Sequence, residues 1–338
     1  MTVRRALITG VTGQDGAYLS AELLARGYQI YGSARRSSSR WRLEELGVIQ
    51  HIYWTELDLQ DFDSLRRTIG DIKPTEIYNL AGQSTLEQSL RDPILAGDLN
   101  GLAVTRLLQA IREVDPKIRI CQASSSQIFG MPQSAPQSEQ TPHRPENHYA
   151  IAKQFAHLSI GQYRNMHGIY ASCAILFNHE SPLRGLEFVT RKLSRGMAEL
   201  ALGRIEPIEL GDRNALRDWG HARDYVRAMW LMMQQPSAAD FVLATGRPHT
   251  VSELASRMAE AAGFDLEWTT DTAAHDRKSG RALISVQPNL VRPSESCPIV
   301  GDAAKARREL DWRANTSFEE LTEEMVRAVL DRICRGAL

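Results

Sequence analysis

The run Ala6-Leu7-Ile8-Thr9-Gly10-Val11-Thr12-Gly13-Gln14-Asp15-Gly16 near the N-terminus restricts this chain more than any other stretch. An uncharged apolar segment breaks into glycine at every third position, and Leu19, Leu23 and Leu24 then recur at helical spacing before Gly27. That order predicts a strand, a tight turn and a helix. Glycine lets the turn approach a diphosphate closely, while the N–H groups and positive dipole end of the helix face the anion. The loop is therefore read as a dinucleotide cradle, with Gly10, Thr12, Gly13, Gln14, Asp15 and Gly16 as candidate cofactor contacts. Three glycines in seven residues occur in many turns, so the weight lies on the placement between a first strand and a helix.

The next 150 residues repeat the alternation. Strands are predicted at Gln29–Ser33, His51–Leu57, Glu76–Leu80 and Ile118–Ala123, with helices at Leu99–Glu113 and Tyr149–His167 between and after them. Strand and helix in turn imply an α/β fold with a doubly wound parallel sheet and a smaller second lobe. The end of the second strand is where such folds choose between cofactors. An acidic residue there would hold a ribose 2′-hydroxyl, but Arg35, Arg36 and Ser37 suit a 2′-phosphate, so the expected cofactor is NADP(H). Asp58 and Leu59 after the third strand are candidates for the adenine. After the fourth, Leu80, Ala81 and Gly82 are small enough for the cofactor to lie against the backbone.

Size and charge set outer limits. A chain of 338 residues with 43% hydrophobic and 24% charged content can bury a large core and is expected to form two lobes. Residues 1–177 with about 221–248 would bind the cofactor, and about 178–220 with 249–338 the substrate. A formal net charge of −1 argues against a nucleic-acid partner. With no apolar run of the roughly 20 residues needed to span a bilayer and no leader pattern, the expected protein is cytoplasmic and not membrane-bound. Cys121, Cys173, Cys297 and Cys334 lack metal-ligand spacing, so no metal is expected.

The chemistry gathers at the ends of two later elements. Strand Ile118–Ala123 delivers Ser124-Ser125-Ser126-Gln127 at its carboxyl end, where open α/β sheets place their ligands. The following long helix opens Tyr149-Ala150-Ile151-Ala152-Lys153, a spacing of four that puts Tyr149 and Lys153 on one face. A phenol titrates near pH 10 and serves as a base at neutral pH only beside a cation, which Lys153 supplies. Ser125 could hold a substrate hydroxyl while Tyr149 takes its proton. Farther on, Asn178, Arg191, Lys192, Arg217 and Arg292 lie in separate segments, and a pyrophosphate joined to a purine needs such converging donors. The polar stretch Asp271–Ala282 reads as a flexible insertion. Thr250 with Glu253, and Ser317 with Glu320, have capping-box spacing and mark helix starts.

These motifs together resemble an extended short-chain dehydrogenase/reductase of the nucleotide-sugar branch, and most of all the GDP-mannose 4,6-dehydratases. The likeness covers nearly the whole chain: the glycine loop, Arg35-Arg36-Ser37-Ser38, Asn79-Leu80-Ala81 with Gln83-Ser84, the Ser125/Tyr149/Lys153 set, Ile175 to Pro182, Phe188 to Lys192, Arg217 to His221, and Arg292 to Glu295. It implies that Asn178, Lys192, Arg217 and Arg292 surround the GDP moiety with Val189 near the base. Ser84, Glu180 and Glu295, in the same matched stretches, complete the substrate set. A homodimer or homotetramer is also implied, with residues 35–42 near a subunit contact.

One departure changes the expected reaction. In the family a glutamate ends the serine-bearing strand and moves the protons of water elimination; here that position is Gln127. An amide can hydrogen-bond a sugar but cannot exchange a proton near neutral pH. Positioned acid/base catalysis is worth roughly 10²–10⁴ in rate, so oxidation at C4 should survive while dehydration suffers. Ser125 replaces a threonine, His148 a proline, Gly82 an alanine and Asn100 an aspartate. Three readings stand: a C4 epimerase or 4-keto-sugar reductase on a GDP-mannose-type sugar, a 4,6-dehydratase in which His148, Glu180 or another carboxylate substitutes, and a non-catalytic NADP-binding scaffold.

Overall fold

The computed structural model describes residues 3–203, 206–290 and 298–336. The strands in chain order are β1 Arg5–Thr9, β2 Gln29–Ser33, β3 Ile52–Trp54, β4 Glu76–Asn79, β5 Arg119–Ala123, β6 Ala171–Leu176 and β7 Asn178–Glu180. They continue as β8 Ile208–Leu210, β9 Leu216–His221, β10 Phe241–Leu243, β11 Pro248–Thr250, β12 Leu266–Trp268, β13 Ala273–Asp276 and β14 Ala282–Val286.

Seven strands form one parallel sheet in the order β10-β6-β5-β4-β1-β2-β3. The central strands are covered on both faces, which is why β4 and β6 are buried along their whole length, β6 with little polarity and β4 with Glu76 and Asn79 hydrogen-bonded to neighbouring side chains. One face packs on helices Gln14–Ala25 and Ala222–Met233, with Leu19, Leu23, Met229 and Trp312 in its core. The other packs on helices Phe62–Ile72, Ala103–Val114 and His148–His167, through Leu65, Leu107, Ile111 and Ile160. Strand β1 is flanked by β2 on one side and β4 on the other, so the winding reverses between β1 and β4. Doubly wound sheets bind ligands outside the carboxyl ends at this reversal, here beyond Thr9 and Asn79.

The second half of the chain adds two small sheets, β11-β9-β7 and β12-β13-β14-β8. A separate apolar cluster, including Leu193, Met197, Trp219, Leu254, Ile284 and Met325, lies between the second of these and helices Val189–Ala201, Val251–Ala261 and Phe318–Cys334. Both predicted capping boxes are formed: Thr250 with Glu253 and Ser317 with Glu320 exchange side-chain and backbone hydrogen bonds at helix starts.

Three expectations need correction. Strand β3 ends at Trp54 instead of Leu57, because it is the sheet's edge, pairs on one side only, and exposes Tyr53 and Trp54. The helix expected from Leu99 opens as a π-helical turn over Asp98–Leu102 before the α-helix Ala103–Val114. Residues 271–282 are no loose insertion but most of the β13–β14 hairpin. Its polar composition conceals buried Ala274 and Leu283 and the Asp276 carboxylate, which accepts from Asp265 N, Ser279 N and Ser279 Oγ. Cys121 and Cys173 are free and buried in β5 and β6, and Cys334 is free and exposed, whereas Cys297 lies outside the described residues.

Candidate active site

The glycine loop closes where the sheet reverses. Gly10 adopts φ +69°, and a Cβ there would sit 2.9 Å from Ala81 N, so only glycine lets β1 pass so near the end of β4. A Cβ at Gly16 would meet Gly10 O at 2.5 Å, so the helix could not pack so closely onto the loop. That helix starts at Gln14 with extended Gly13 at its N-cap and no side-chain cap, leaving its positive end for an anion. The side chains of Gln14 and Asp15 turn instead to the strand after β6. Gln14 Nε2 donates to His179 O at 3.0 Å and its Oε1 accepts from Ser181 Oγ at 2.7 Å. Asp15 Oδ2 pairs with His179 Nε2 at 2.9 Å. Burial alone would push His179 down, but the Asp15 carboxylate overrides it and holds the imidazole above its ordinary value. Asp15 is held below the carboxylate range despite its burial, through His179.

Neighbouring strand ends are joined by a chain of buried side chains. Thr9 Oγ1 donates to Asn79 Oδ1 at 2.6 Å, Asn79 Nδ2 to Gln122 Oε1 at 2.7 Å, and Gln122 Nε2 to Ala123 O at 2.9 Å. The register explains it, since Thr9 lies opposite Asn79 and Asn79 opposite Gln122. Ala123 O also accepts from Lys153 Nζ at 3.0 Å, which anchors the buried lysine to the end of β5. The Lys153 ammonium is 5.8 Å from the centre of the Tyr149 ring. Ser125 caps the turn Ser126–Phe129 by accepting from Gln127 N at 3.2 Å. Asn147 caps the long helix, whose first residue is the exposed His148. Ser125 and Lys153 thus lie at the carboxyl end of β5, with the Tyr149 ring beside Lys153.

Around this core the candidates divide. Arg35, Arg36 and Ser37 are exposed in the loop after β2, where Arg36 pairs with Glu56. Asp58 is exposed after β3 and Leu59 buried beneath it. Leu80 N and Ala81 N both donate to Thr9 Oγ1 at 3.2 Å. Gly82 and exposed Ser84 flank Gln83, whose backbone N–H and C=O are both taken by the side chain of Asn100, at 2.9 and 3.1 Å.

Gln127 lines a narrow cleft with Ser126, Asn178, Arg217, Asp218, Phe177 and Ile299. Within it Asp218 is almost wholly buried. Burial raises its carboxyl above the usual range, opposed by donors on Thr245, Gly246 and Gly301. Lys192 lies elsewhere, in a wider cleft shared with Arg191, Arg195, Leu186, Ile208, Glu199 and Glu209. Val189 is half-buried at the start of that helix. Arg191 is 2% exposed; its Nε donates to Arg184 O at 3.2 Å, and its Nη1 has no partner among the described residues. Burial, together with Arg332, Arg195 and Arg42 nearby, pushes Arg191 down to about 10. Glu180 is buried, accepting from Thr190 Oγ1 at 2.6 Å and pairing with Arg184 at 3.1 Å. Arg292 and Glu295 lie outside the described residues.

Sequence reasoning missed His179, Ser181, Asp218 and the Thr9–Asn79–Gln122 chain. The signal for the last was available, since three neighbouring parallel strands each carry one uncharged polar residue near the carboxyl end.

A family model described as GDP-mannose 4,6 dehydratase matches residues 7–325. The chain belongs to that family. A GDP-mannose 4,6-dehydratase of Sinorhizobium fredii is 43% identical over 97% of each chain. One from Yersinia enterocolitica is 40% identical, covering 99% of this chain and 96% of its own. Among solved structures, the UDP-glucose 4-epimerase of Thermotoga maritima superposes with a TM-score of 0.83 at 21% identity, covering 97% of this chain and 99% of its own. RMD from Pseudomonas aeruginosa gives 0.77 at 22% identity, over 98% and 100%. At such identity these two show the fold, that of the extended short-chain dehydrogenase/reductases. The protein is an enzyme of that fold acting on nucleotide sugars. Among the described residues no helix is long and apolar enough to cross a membrane, and no cluster of His, Cys, Asp or Glu could hold a metal.

Proposed function

We propose that this protein is an NADP(H)-dependent oxidoreductase at C4 of a GDP-mannose-type nucleotide sugar that dehydrates poorly, acting as a 4-epimerase or 4-keto-sugar reductase. One observation carries the reading: the cleft beside Ser125 presents an amide, Gln127, where elimination needs an acid. The carboxylate that lines this cleft, Asp218, is engaged by Thr245, Gly246 and Gly301, and the candidate substitute Glu180 by Thr190 and Arg184. His148 is exposed at the helix start.

A dinucleotide fits the cradle, because Gly10 and Gly16 leave a backbone approach that a Cβ would fill and the adjoining helix end is uncapped. Gly10, Thr12, Gly13 and the backbone of Gln14, Asp15 and Gly16 would hold its diphosphate. Arg35, Arg36 and Ser37 would take a 2′-phosphate, Asp58 and Leu59 the adenine end, and Leu80, Ala81 and Gly82 the ribose. When bound, a nicotinamide supplies a hydride acceptor and donor. Tyr149 serves as the base at the sugar's C4 hydroxyl, Ser125 orients that hydroxyl, and Lys153, anchored on Ala123 O, keeps its ammonium beside the Tyr149 ring. Asn178 and Arg217, with Ser84, would hold the sugar diphosphate beside Gln127. Lys192 and Val189 would meet the base, joined by Arg292 and Glu295. In this assignment residues 1–177 with about 221–248 form the cofactor lobe and the remainder the substrate lobe. The exposed apolar side chains Ile94, Ile151, Phe155 and Leu158, on the neighbouring helices Pro93–Gly97 and His148–His167, support a homodimer or homotetramer; its proposed compartment is the cytoplasm.

The second reading is a working 4,6-dehydratase. It is supported by the names of the relatives and by Asp218, a carboxyl raised by burial in the same cleft as Gln127. Incubation with GDP-mannose and catalytic NADP⁺ in deuterated water, followed by proton NMR, separates the two. Inversion at C4 with C6 still hydroxylated supports the first, and so does reduction of a GDP-4-keto sugar by NADPH. A 6-deoxy-4-keto product from the wild-type enzyme establishes the second. Under the first reading, Gln127→Glu gains dehydratase turnover by about 10². Unchanged dehydration in that variant would place the block in the pocket's shape instead. Arg35→Ala combined with Arg36→Ala should weaken NADPH binding by about tenfold or more and leave NADH binding nearly unchanged.

A further inference from the structure

The helix face bearing Tyr149 and Lys153 continues for another turn to His157, and all three side chains stand four residues apart. His157 is 9% exposed, and its Nδ1 lies 3.3 Å from Ser124 Oγ. The helix therefore grips the end of β5 at two consecutive residues, with Lys153 on the carbonyl of Ala123 and His157 on the hydroxyl of Ser124. Ser125 is the next residue along.

We infer that His157 is a positioning residue for the C4 chemistry, setting the height of the Ser124–Ser125 backbone against Tyr149 and keeping Lys153 on its anchor. This rests on the proposed roles of Ser125, Tyr149 and Lys153. In the arrangement Nδ1 accepts the Ser124 hydroxyl proton and Nε2 carries hydrogen towards Asp240 Oδ2, 3.9 Å away. The groups facing His157 explain why it stays neutral. Burial pushes it down. Asp240 opposes this, but both Asp240 oxygens are already taken by Arg164, at 2.8 and 2.7 Å, and Oδ1 also accepts from Cys173 N. From the loop before the helix, His143 meets the His157 ring edge-on at 5.0 Å, and burial and His157 hold it down to about 4. A second imidazole in contact makes a charge on either one costly. Ser124 can then only donate to His157, which fixes the rotation of the residue preceding Ser125.

Isotope-labelled histidine in the whole protein reads this state by NMR without any substrate. A neutral His157 with hydrogen on Nε2 through the working pH range is expected; the Nδ1–H tautomer, or a charged ring at neutral pH, overturns the inference. Kinetically, His157→Ala should lower kcat by about tenfold, leave KM for the nucleotide sugar within about twofold, and move the acid limb of the pH–rate profile to higher pH. His157→Asn, whose amide oxygen occupies the Nδ1 position, should restore most of the rate. If His157→Ala does not fold, Ser124→Ala breaks the same contact from the other side and should move the same limb. An unshifted pH profile in Ser124→Ala or His157→Ala, with only a lowered Tm, reduces His157 to a packing residue and sinks the proposal. A wild-type enzyme that turns over no GDP-sugar, with the expected tautomer present, refutes the functional reading while leaving the geometry standing.

Discussion

The strand ends of the large sheet and the clefts of the second half treat buried polar groups in opposite ways. At the strand ends Thr9, Asn79, Gln122 and Lys153 partner one another in sequence, and the last two meet on the carbonyl of Ala123. In the second half, Arg191 is more deeply buried than Lys153, yet one of its nitrogens has no partner among the described residues, and the charges of Arg332, Arg195 and Arg42 oppose its own. The first arrangement is complete as the chain folds. The second carries the cost of desolvating a cation, which an arriving anion would offset. Under the proposed function, one region would hold reacting groups still and the other would respond to a charged substrate.

Deleting a buried polar group on each side is the most direct way to break this contrast. Asn79→Leu leaves the Thr9 hydroxyl hydrogen without its acceptor and Gln122 Oε1 without its donor, and should cost about 3 kcal/mol in denaturant unfolding. A loss below about 1 kcal/mol would show that the chain adds little. Arg191→Met should have the opposite sign, stabilising the ligand-free protein by about 1 kcal/mol while weakening GDP-sugar binding. If both variants destabilise, Arg191 already has its anion within the protein and the contrast fails.

Acid sharpens it further on the smallest scale. His143 is held down to about 4 in the folded protein against an ordinary value of 6.5, so the unfolded chain protonates first. Its contribution is present above pH 6.5 and is lost as pH falls towards 4. His179, raised by Asp15, works the other way: its contribution is present below pH 6.5 and lost as pH rises through its raised value. His143→Phe should flatten the acid side of a Tm-against-pH curve, and Asp15→Asn the neutral-to-alkaline side.

The sheet and its reversal point were legible because period and glycine spacing are local. Sequence pattern predicts Gln29–Ser33 to the residue, and the Tyr149/Lys153 pair comes from helical spacing alone. The β13–β14 hairpin was hidden because its polar residues hydrogen-bond to backbone, which composition does not reveal. His179 was missed although it lies within the matched stretch Ile175 to Pro182. Its role exists only against Asp15, 164 positions away in the chain. For the same reason the separation of Gln127, Asn178 and Arg217 from Lys192 into different clefts could not be read from residue types that all suit a diphosphate.

The contact between Gly82 and Asn100 ties two distant positions into one structural unit. A Cβ at position 82 would come within 2.2 Å of Asn100 Oδ1, an oxygen held in place by the backbone N–H of Gln83. A methyl group at 82 would therefore force the Asn100 amide aside and put both of its hydrogen bonds to Gln83 at risk. The side chain at one position is thus the lock for the other, and a single exchange at 82 would be felt along the loop bearing Ala81 and Ser84.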